Sequence, residues 1–276
     1  MVKATVLCEN SVFGVMGVIA EHGWSVYVET PEGNYLFDTG QGLGLLNNAK
    51  VFKKDLTALK GIILSHHHVD HTGGLLTAVK AAEKEIDVYT HPDLFKSSYA
   101  KRKDVSYIGI PFSQAALEAS GAKFHFNHDF AEIAPGIYLT GEIPRRNTYE
   151  TTDQALVVRD LSGQYGPDPL VDDQTLVLKT SEGLLVLLGC AHAGIVNILN
   201  YIQEKTGEER IAAVIGGTHL SPAGPIQIQT SIESLLALNI KRIGVSHCTG
   251  MRASMELAAA FGDRFFFCNL GAVIEI

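Results

Sequence analysis

The chain has 276 residues, a formal net charge of −8 and a composition that is 46% hydrophobic and 19% charged. Such a composition is typical of a folded globular protein and excludes an intrinsically disordered chain. The negative net charge argues against a general nucleic-acid-binding surface. No apolar run approaches the roughly 20 residues that span a bilayer. We therefore expect neither nucleic acid nor a membrane as a partner.

The N-terminal third predicts three strands. Residues 3–7 form the first, and residues 24–28 and 35–37 form a hairpin across a turn that contains proline and glycine. Asp38 directly follows the hairpin. A carboxylate at a strand end can fix a ligand histidine by accepting its second N–H, and an aspartate is equally suited to form a turn.

The loop at residues 65–71 reads Ser-His-His-His-Val-Asp-His, between a buried strand at 61–64 and a predicted helix at 74–84. The pattern His-x-His-x-Asp-His is filled by His66, His68, Asp70 and His71. In an extended loop, the side chains of residues i and i+2 point the same way, so His66 and His68 can bind one cation. Asp70 and His71 then face a neighbouring position. A surface cluster does not explain this pattern, so we predict a metal site for zinc, iron or manganese.

The middle of the chain is less informative. We predict strands at 87–90 and 136–140, and interpret a basic cluster at 96–103 as a solvated face. His125 and His128 are interpreted as surface residues, and these two and His22 are predicted not to bind metal, because they lie in polar or turn-like contexts. Arg145 and Arg146 follow the second strand. The two arginines are either a solvated pair or contacts for an anionic substrate. The second alternative is chemically possible because guanidinium binds carboxylate or phosphate through two hydrogen bonds.

Two similar segments, 152–158 and 172–178, flank a loop rich in glycine and proline. We interpret this loop as internal, so residues 1–276 are predicted to form a single domain. Buried strands at 184–188, 211–215 and 240–245 are each followed by a histidine: His192, His219 and His247. Since the functional sites of α/β proteins lie at the carboxyl ends of the strands, these histidines are candidate site residues. Residues 265–276 are predicted as a closing strand.

Four cysteines are present: Cys8, Cys190, Cys248 and Cys268. They lie beside apolar runs and form no Cys-x-x-Cys pair, as expected of buried thiols in a reducing compartment. Glu9 and Asn10 interrupt the N-terminal apolar segment, which is therefore not predicted to be a signal peptide. We expect a cytoplasmic protein.

With its His-x-His-x-Asp-His loop, Phe-Asp-Thr-Gly at 37–40 and a histidine near the end, the chain resembles the metallo-β-lactamase superfamily. The resemblance implies an α/β fold, a four-layer αββα sandwich with one or two divalent metal ions at one edge of the sheets. It implies zinc, with iron or manganese as alternatives. His66 and His68 would bind the first metal, and Asp38 would fix a ligand histidine from behind. The second metal would be held by three residues: Asp70, His71 and His247.

The chain departs from the family pattern at two points. Gly189-Cys190 stands where a bridging aspartate is expected, and Asp172-Asp173-Gln174 stands where the usual third histidine is expected. His192 would then complete the first site from a new position. The number of metals, and whether Cys190 bridges them, stay open at this point.

The sequences around His192, His219 and His247 are similar to a branch of the superfamily described as metal-dependent hydrolases. We predict metal-activated water or hydroxide acting on a small anionic, phosphorylated substrate, because the metal site, the arginines and His219 would supply positive charge and directional donors. Asp70 would orient the water as the catalytic residue, with His219 and Arg145 as substrate contacts. The branch includes an archaeal enzyme that joins a dihydropterin to ribofuranosylaminobenzene 5′-phosphate, so a transferase is the first alternative. A di-iron redox or sensing protein on the same fold is the second. The oligomeric state stays open.

Overall fold

The structure is a computed structural model that describes residues 1–160 and 162–276. The strands of these ranges are β1 (Lys3–Cys8), β2 (Ser25–Thr30), β3 (Gly33–Phe37), β4 (Leu59–Ile63), β5 (Ile86–Thr90), β6 (Ser98–Lys101), β7 (Val105–Tyr107), β8 (Ala122–Phe126), β9 (Ala131–Ala134), β10 (Ile137–Leu139), β11 (Leu156–Arg159), β12 (Tyr165–Pro167), β13 (Leu176–Thr180), β14 (Gly183–Leu188), β15 (Ile211–Gly217), β16 (Ile243–Ser246), β17 (Phe265–Phe267) and β18 (Val273–Glu275).

The α-helices are α1 (Leu45–Val51), α2 (Val69–Thr72), α3 (Leu75–Ala81), α4 (Gln114–Glu118), α5 (Ile195–Thr206), α6 (Pro225–Ala237) and α7 (Met251–Phe261). Short 3-10 helices lie at Leu56–Ala58, Pro92–Phe95, His247–Thr249 and Gly262–Arg264. Within the described ranges, no helix combines the length and the apolar character needed to cross a membrane.

Two sheets of seven strands each form the centre of the molecule. The strand order is β18-β1-β2-β3-β4-β5-β8 in the first sheet and β17-β16-β15-β14-β13-β10-β9 in the second. Strands β3, β4, β5 and β8 run parallel, as do β14 to β17. Parallel neighbours need a crossover, and helices α3, α5, α6 and α7 provide crossovers in these runs.

Side-chain alternation along the strands divides the core into three layers. In β2, Val26 and Val28 face the space between the two sheets, whereas Tyr27 packs towards α1 and α3. In β14, Leu187 faces the same central space, and Val186 packs towards α5, α6 and α7. Since alternate residues of a strand point to opposite faces, each sheet is covered by helices outside and by the other sheet inside. The predicted αββα sandwich is confirmed.

One sequence expectation was wrong, and one sheet was not predicted. Residues 265–276 do not form one closing strand: β17 pairs in the second sheet and β18 in the first. Gly271, at φ 86°, lies in the turn between them and can adopt this left-handed conformation without strain. The sequence patterns also did not predict a small sheet of four strands, ordered β12-β11-β6-β7. This small sheet becomes one wall of the cleft described below.

Candidate metal centre

The predicted site residues gather where parallel strands end. Strands β1, β3 and β4 deliver residues 9–10, 38 and 65–71 from the first sheet. Strands β14, β15 and β16 deliver residues 189–192, 218–219 and 247–248 from the second. The metal loop is extended through His68, at φ −63° and ψ 145°, and then enters the short helix α2. This change of backbone direction separates the first two ligand candidates from Asp70 and His71.

Three buried histidines form the first group: His66, His68 and His192. The Nε2 atom of His66 lies 3.0 Å from Nδ1 of His68, and the candidate ligand atoms of all three residues lie within 4.8 Å of one another. Burial lowers the pKa of His66 and of His192 well below the usual range, and neighbouring histidines add to this effect. The imidazoles are therefore neutral, as metal ligation requires.

The second group consists of Asp70, His71 and His247. The Oδ2 atom of Asp70 lies 3.1 Å from Nε2 of His247 and 3.9 Å from Nε2 of His71. Burial alone would raise the pKa of Asp70, but His71 and the other adjacent imidazoles outweigh it and hold the pKa well below the usual range. The carboxylate is therefore ionised beside the two histidines.

Asp38 holds His71 from the side opposite to this group. Its Oδ2 atom lies 2.7 Å from Nδ1 of His71, and its Oδ1 accepts a hydrogen bond from the Ser65 backbone N–H at 2.7 Å. Burial would lower the pKa of His71, but the carboxylates of Asp38 and Asp70 raise it to about 9. Asp38 itself has a φ of 56°, a conformation in which aspartate is among the more tolerant residues.

Asp172 and Asp173, which occupy the expected position of a third histidine, support the ligand loops. Asp172 accepts from the backbone N–H of His67 at 2.9 Å, and the ring Nδ1 of His67 lies 2.6 Å from the same oxygen. Asp173 accepts from the His192 backbone N–H, and its Oδ1 lies 3.7 Å from Nδ1 of His66. Burial raises the pKa of Asp173 to about 7. Both carboxylates therefore hold the backbone of the ligand loops, at His67 and at His192.

Sequence reasoning missed one neighbour of the second group. His22, which was predicted not to bind metal, is exposed, but its Nε2 lies 3.3 Å from Oδ2 of Asp70 and its ring centroid lies 4.8 Å from that of His247. Asn10 contacts both rings, at 3.1 and 2.9 Å. No local pattern marks His22, because its position depends on contacts with residues distant in sequence. His125 and His128 instead pair with Asp87 and Glu142.

The two groups open into a cleft of about 630 Å³. The small sheet contributes Ala100 and Leu156 to an apolar wall, and Ile108, directly after β7, completes it. Arg102 and Asp153 also line the cleft, and their side chains form an ion pair at 3.2 Å. The interpretation of this part of the chain as a solvated basic cluster was therefore incomplete, because the small sheet that brings it over the cleft was not predicted.

The two predicted substrate contacts have different positions. His219 lines the cleft, with its ring centroid 4.2 Å from that of His192 and its Nε2 3.8 Å from Oδ2 of Asp153. Arg145 is not among the residues that line the cleft. Its guanidinium instead donates to the backbone carbonyls of His192 and Pro169, the latter at 3.1 Å. Arg145 therefore supports the His192 turn from outside the cleft.

Comparison with known proteins agrees with this architecture. The model of a family described as "Metallo-beta-lactamase superfamily" matches residues 18–237. The chain is 31% identical over 265 residues to the 7,8-dihydropterin-6-methyl-4-(beta-D-ribofuranosyl)-aminobenzene-5'-phosphate synthase of Methanocaldococcus jannaschii, covering 93% of this chain and 90% of that protein.

Solved structures show the same fold. The crystal structure of a metal-dependent hydrolase of the beta-lactamase superfamily is 30% identical, with a TM-score of 0.86 and coverage of 100% of this chain and 99% of that one. Zn²⁺-bound PqqB from Methylobacterium extorquens has a TM-score of 0.59 at 12% identity, with coverage of 99% and 100%.

Proposed function

Because the chain belongs to the metallo-β-lactamase superfamily, we propose that it is a metal-dependent hydrolase of a small anionic substrate. The observation that carries this proposal is the pair of adjacent ligand groups, four of whose members line one cleft: His68, Asp70, His192 and His247. The first cation would be held by His66, His68 and His192. The second would be held by Asp70, His71 and His247.

The donor atoms fit divalent cations. The buried Nε2 atom of His192 has no hydrogen-bond partner among the described residues, an arrangement that is costly unless another ligand is bound. The separation of 3.0 Å between His66 Nε2 and His68 Nδ1 is near the about 3.4 Å expected for two nitrogens on one tetrahedral zinc. Imidazole and carboxylate donors suit zinc best, and also iron or manganese.

When bound, the cations would supply a Lewis acid and lower the pKa of water to about 7. The protein's own contribution begins with Asp70, which lines the cleft and is ionised. Its Oδ2 can accept a hydrogen bond from a water molecule and so turn the water's lone pair towards the substrate. Asp38 and Asp173 would keep the ligand loops in position.

The substrate proposed for this site is small and anionic. A cleft of about 630 Å³ lies within the usual range for small-molecule sites. His219 and Arg102 supply nitrogen donors at its lining, and Ala100, Ile108 and Leu156 supply apolar contact area. Guanidinium groups bind phosphate and carboxylate strongly, which supports a phosphorylated substrate.

A second candidate function is favoured by the 31% identity to the archaeal synthase over nearly both whole chains. In this case the same site would join two molecules instead of adding water, and the anion contacts would hold a phosphorylated partner. The two candidates share the metal centre and differ only in the group that attacks.

The test is a turnover assay on metal-loaded protein. Phosphomonoesters, phosphodiesters and carboxylic esters form one set, and a dihydropterin with ribofuranosylaminobenzene 5′-phosphate forms the other. Hydrolysis that disappears in Asp70→Asn and persists in the surface control Asp87→Asn supports the hydrolase. Condensation without hydrolysis supports the synthase-like transferase, and turnover that survives Asp70→Asn with full metal content contradicts the proposed role of Asp70.

A further inference from the structure

Cys190 is the second residue after β14, and it lines the cleft beside the proposed ligands. Its Sγ atom lies 3.2 Å from Nε2 of His71, and the residue is 3% exposed. The thiol is thus in direct contact with a proposed ligand atom of the second group. A cysteine that only filled the apolar core would not need this contact.

The sulfur of Cys190 also approaches the first group. It lies within 4.8 Å of the candidate ligand atoms of His66 and His71. It also lies within 4.8 Å of those of His192 and His219. A third set places it within 4.8 Å of His247 and Cys248. The thiol therefore lies near members of both proposed metal groups.

The local backbone holds this position. A Cβ atom on Gly189 would lie 2.3 Å from Oγ of Ser65, so only glycine allows the end of β14 to approach the metal loop this closely. Ala191, at φ 59°, then turns the chain in a conformation that is unusual for residues other than glycine. The turn brings both Cys190 and His192 to the cleft lining.

We propose that Cys190 Sγ is a metal ligand shared by the two cation sites, an inference that rests on the proposed function. When the metal binds, the S–H bond breaks, its proton is released to solvent and the sulfur lone pair forms the bond to the metal. Thiolate ligands favour zinc and iron over magnesium, calcium and manganese. The site is therefore expected to select a thiophilic metal.

Cys248 provides a matched control because its sulfur is nearby but already engaged. Its Sγ accepts a hydrogen bond from the His219 backbone N–H at 3.2 Å. The Cys248 sulfur also lies within 4.8 Å of the candidate ligand atoms of Cys190 and His247. The same Cys→Ser change at the two positions thus separates a ligand sulfur from a neighbouring one.

The experiment is zinc X-ray absorption spectroscopy on untagged, zinc-reconstituted protein, with zinc content measured in each sample. We expect a sulfur shell at about 2.3 Å beside nitrogen and oxygen at about 2.0–2.1 Å. The sulfur shell should disappear in Cys190→Ser and persist in Cys248→Ser. A sulfur shell that survives Cys190→Ser, or one that is lost in Cys248→Ser alone, overturns the proposal.

The wild-type spectrum tests the proposal even if Cys190→Ser does not fold. Bound zinc without a sulfur shell overturns the role of Cys190 and leaves the proposed hydrolase intact. Protein that binds no zinc or other transition metal contradicts the proposed function itself. The two failures are therefore distinguishable in one sample.

Discussion

The carboxylate of Asp38 lies 2.7 Å from Nδ1 of His71, and both side chains are fully buried. Asp38 follows β3 and His71 lies in α2, so this contact ties two separate segments together. It leaves Nε2 of His71 facing Cys190 Sγ at 3.2 Å. A ligand histidine held in this way has a fixed ring orientation and an increased basicity.

Asp38→Asn is predicted to weaken metal binding. Asparagine tolerates the φ of 56° at this position, so the substitution removes mainly the charge that holds His71. Loss of such a supporting carboxylate costs about 10- to 100-fold in metal affinity. Competition with a chromophoric chelator measures the change.

Asp87→Asn is the control for this prediction. Asp87 lies 2.7 Å from Nε2 of His125, in an aspartate–histidine pair that is partly exposed and remote from the cleft. We expect its metal affinity to equal that of the wild type. Equal affinities for all three proteins would show that Asp38 does not support a ligand.

His247→Asn is predicted to remove the metal of the second group. His247 has a φ of 50°, which asparagine also tolerates. The substitution therefore removes the imidazole ring without adding backbone strain. Metal content should fall by about one equivalent per chain if two metals are bound. His128→Asn, at an exposed position, should leave metal content unchanged, and the opposite pattern would mean that the C-terminal part of the site is misplaced.

Arg102→Ala is predicted to weaken the binding of inorganic phosphate or a phosphomonoester. Its side chain is 66% exposed, so we expect the lower end of the range for a charge-assisted hydrogen bond, about 1–1.5 kcal/mol or roughly tenfold in Kd. Titration calorimetry measures the affinity.

Arg146→Ala is the matched control, because Arg146 is also exposed and pairs with Glu204 outside the cleft. It should bind phosphate as the wild type does. If Arg102→Ala and Arg146→Ala bind phosphate equally well, the cleft arginine is not an anion contact and the phosphorylated substrate loses its main support.

Much of this arrangement was predictable from sequence. The metal loop is local, with its ligand types within the stretch 66–71, and His192, His219 and His247 each follow a buried strand. The alternation of the long strands likewise predicts two-sided burial. The grouping of these residues therefore follows from patterns that the sequence itself displays, whereas the αββα fold was implied by the resemblance to the metallo-β-lactamase superfamily.

The rest of the site depends on tertiary contacts that local sequence patterns do not indicate. Strand β7 has only three residues, Val105–Tyr107, too few to show alternation, so the wall that carries Arg102 was missed. Arg145 has the chemistry of an anion contact, but its guanidinium is bound to the carbonyls of His192 and Pro169. Which arginine faces the cleft is decided by tertiary packing.

Leu187→Ala is predicted to destabilise the protein by about 2–5 kcal/mol, because it opens a cavity between the two sheets. Leu187 is fully buried in the central core layer. Urea denaturation at constant metal concentration measures the change in the free energy of unfolding. Leu236→Ala, at an exposed position on α6, should stay within about 0.5 kcal/mol of the wild type, and similar losses for both would contradict the assigned core.

The most direct test of the account is elemental analysis of the protein purified without a histidine tag. The six proposed ligands around one cleft predict at least about one transition-metal equivalent per chain, and a clear decrease in the double variant His66→Ala/His68→Ala. Less than about a tenth of an equivalent after metal supplementation would contradict the account, since five imidazoles and one carboxylate grouped in this way should bind a divalent cation whenever one is supplied.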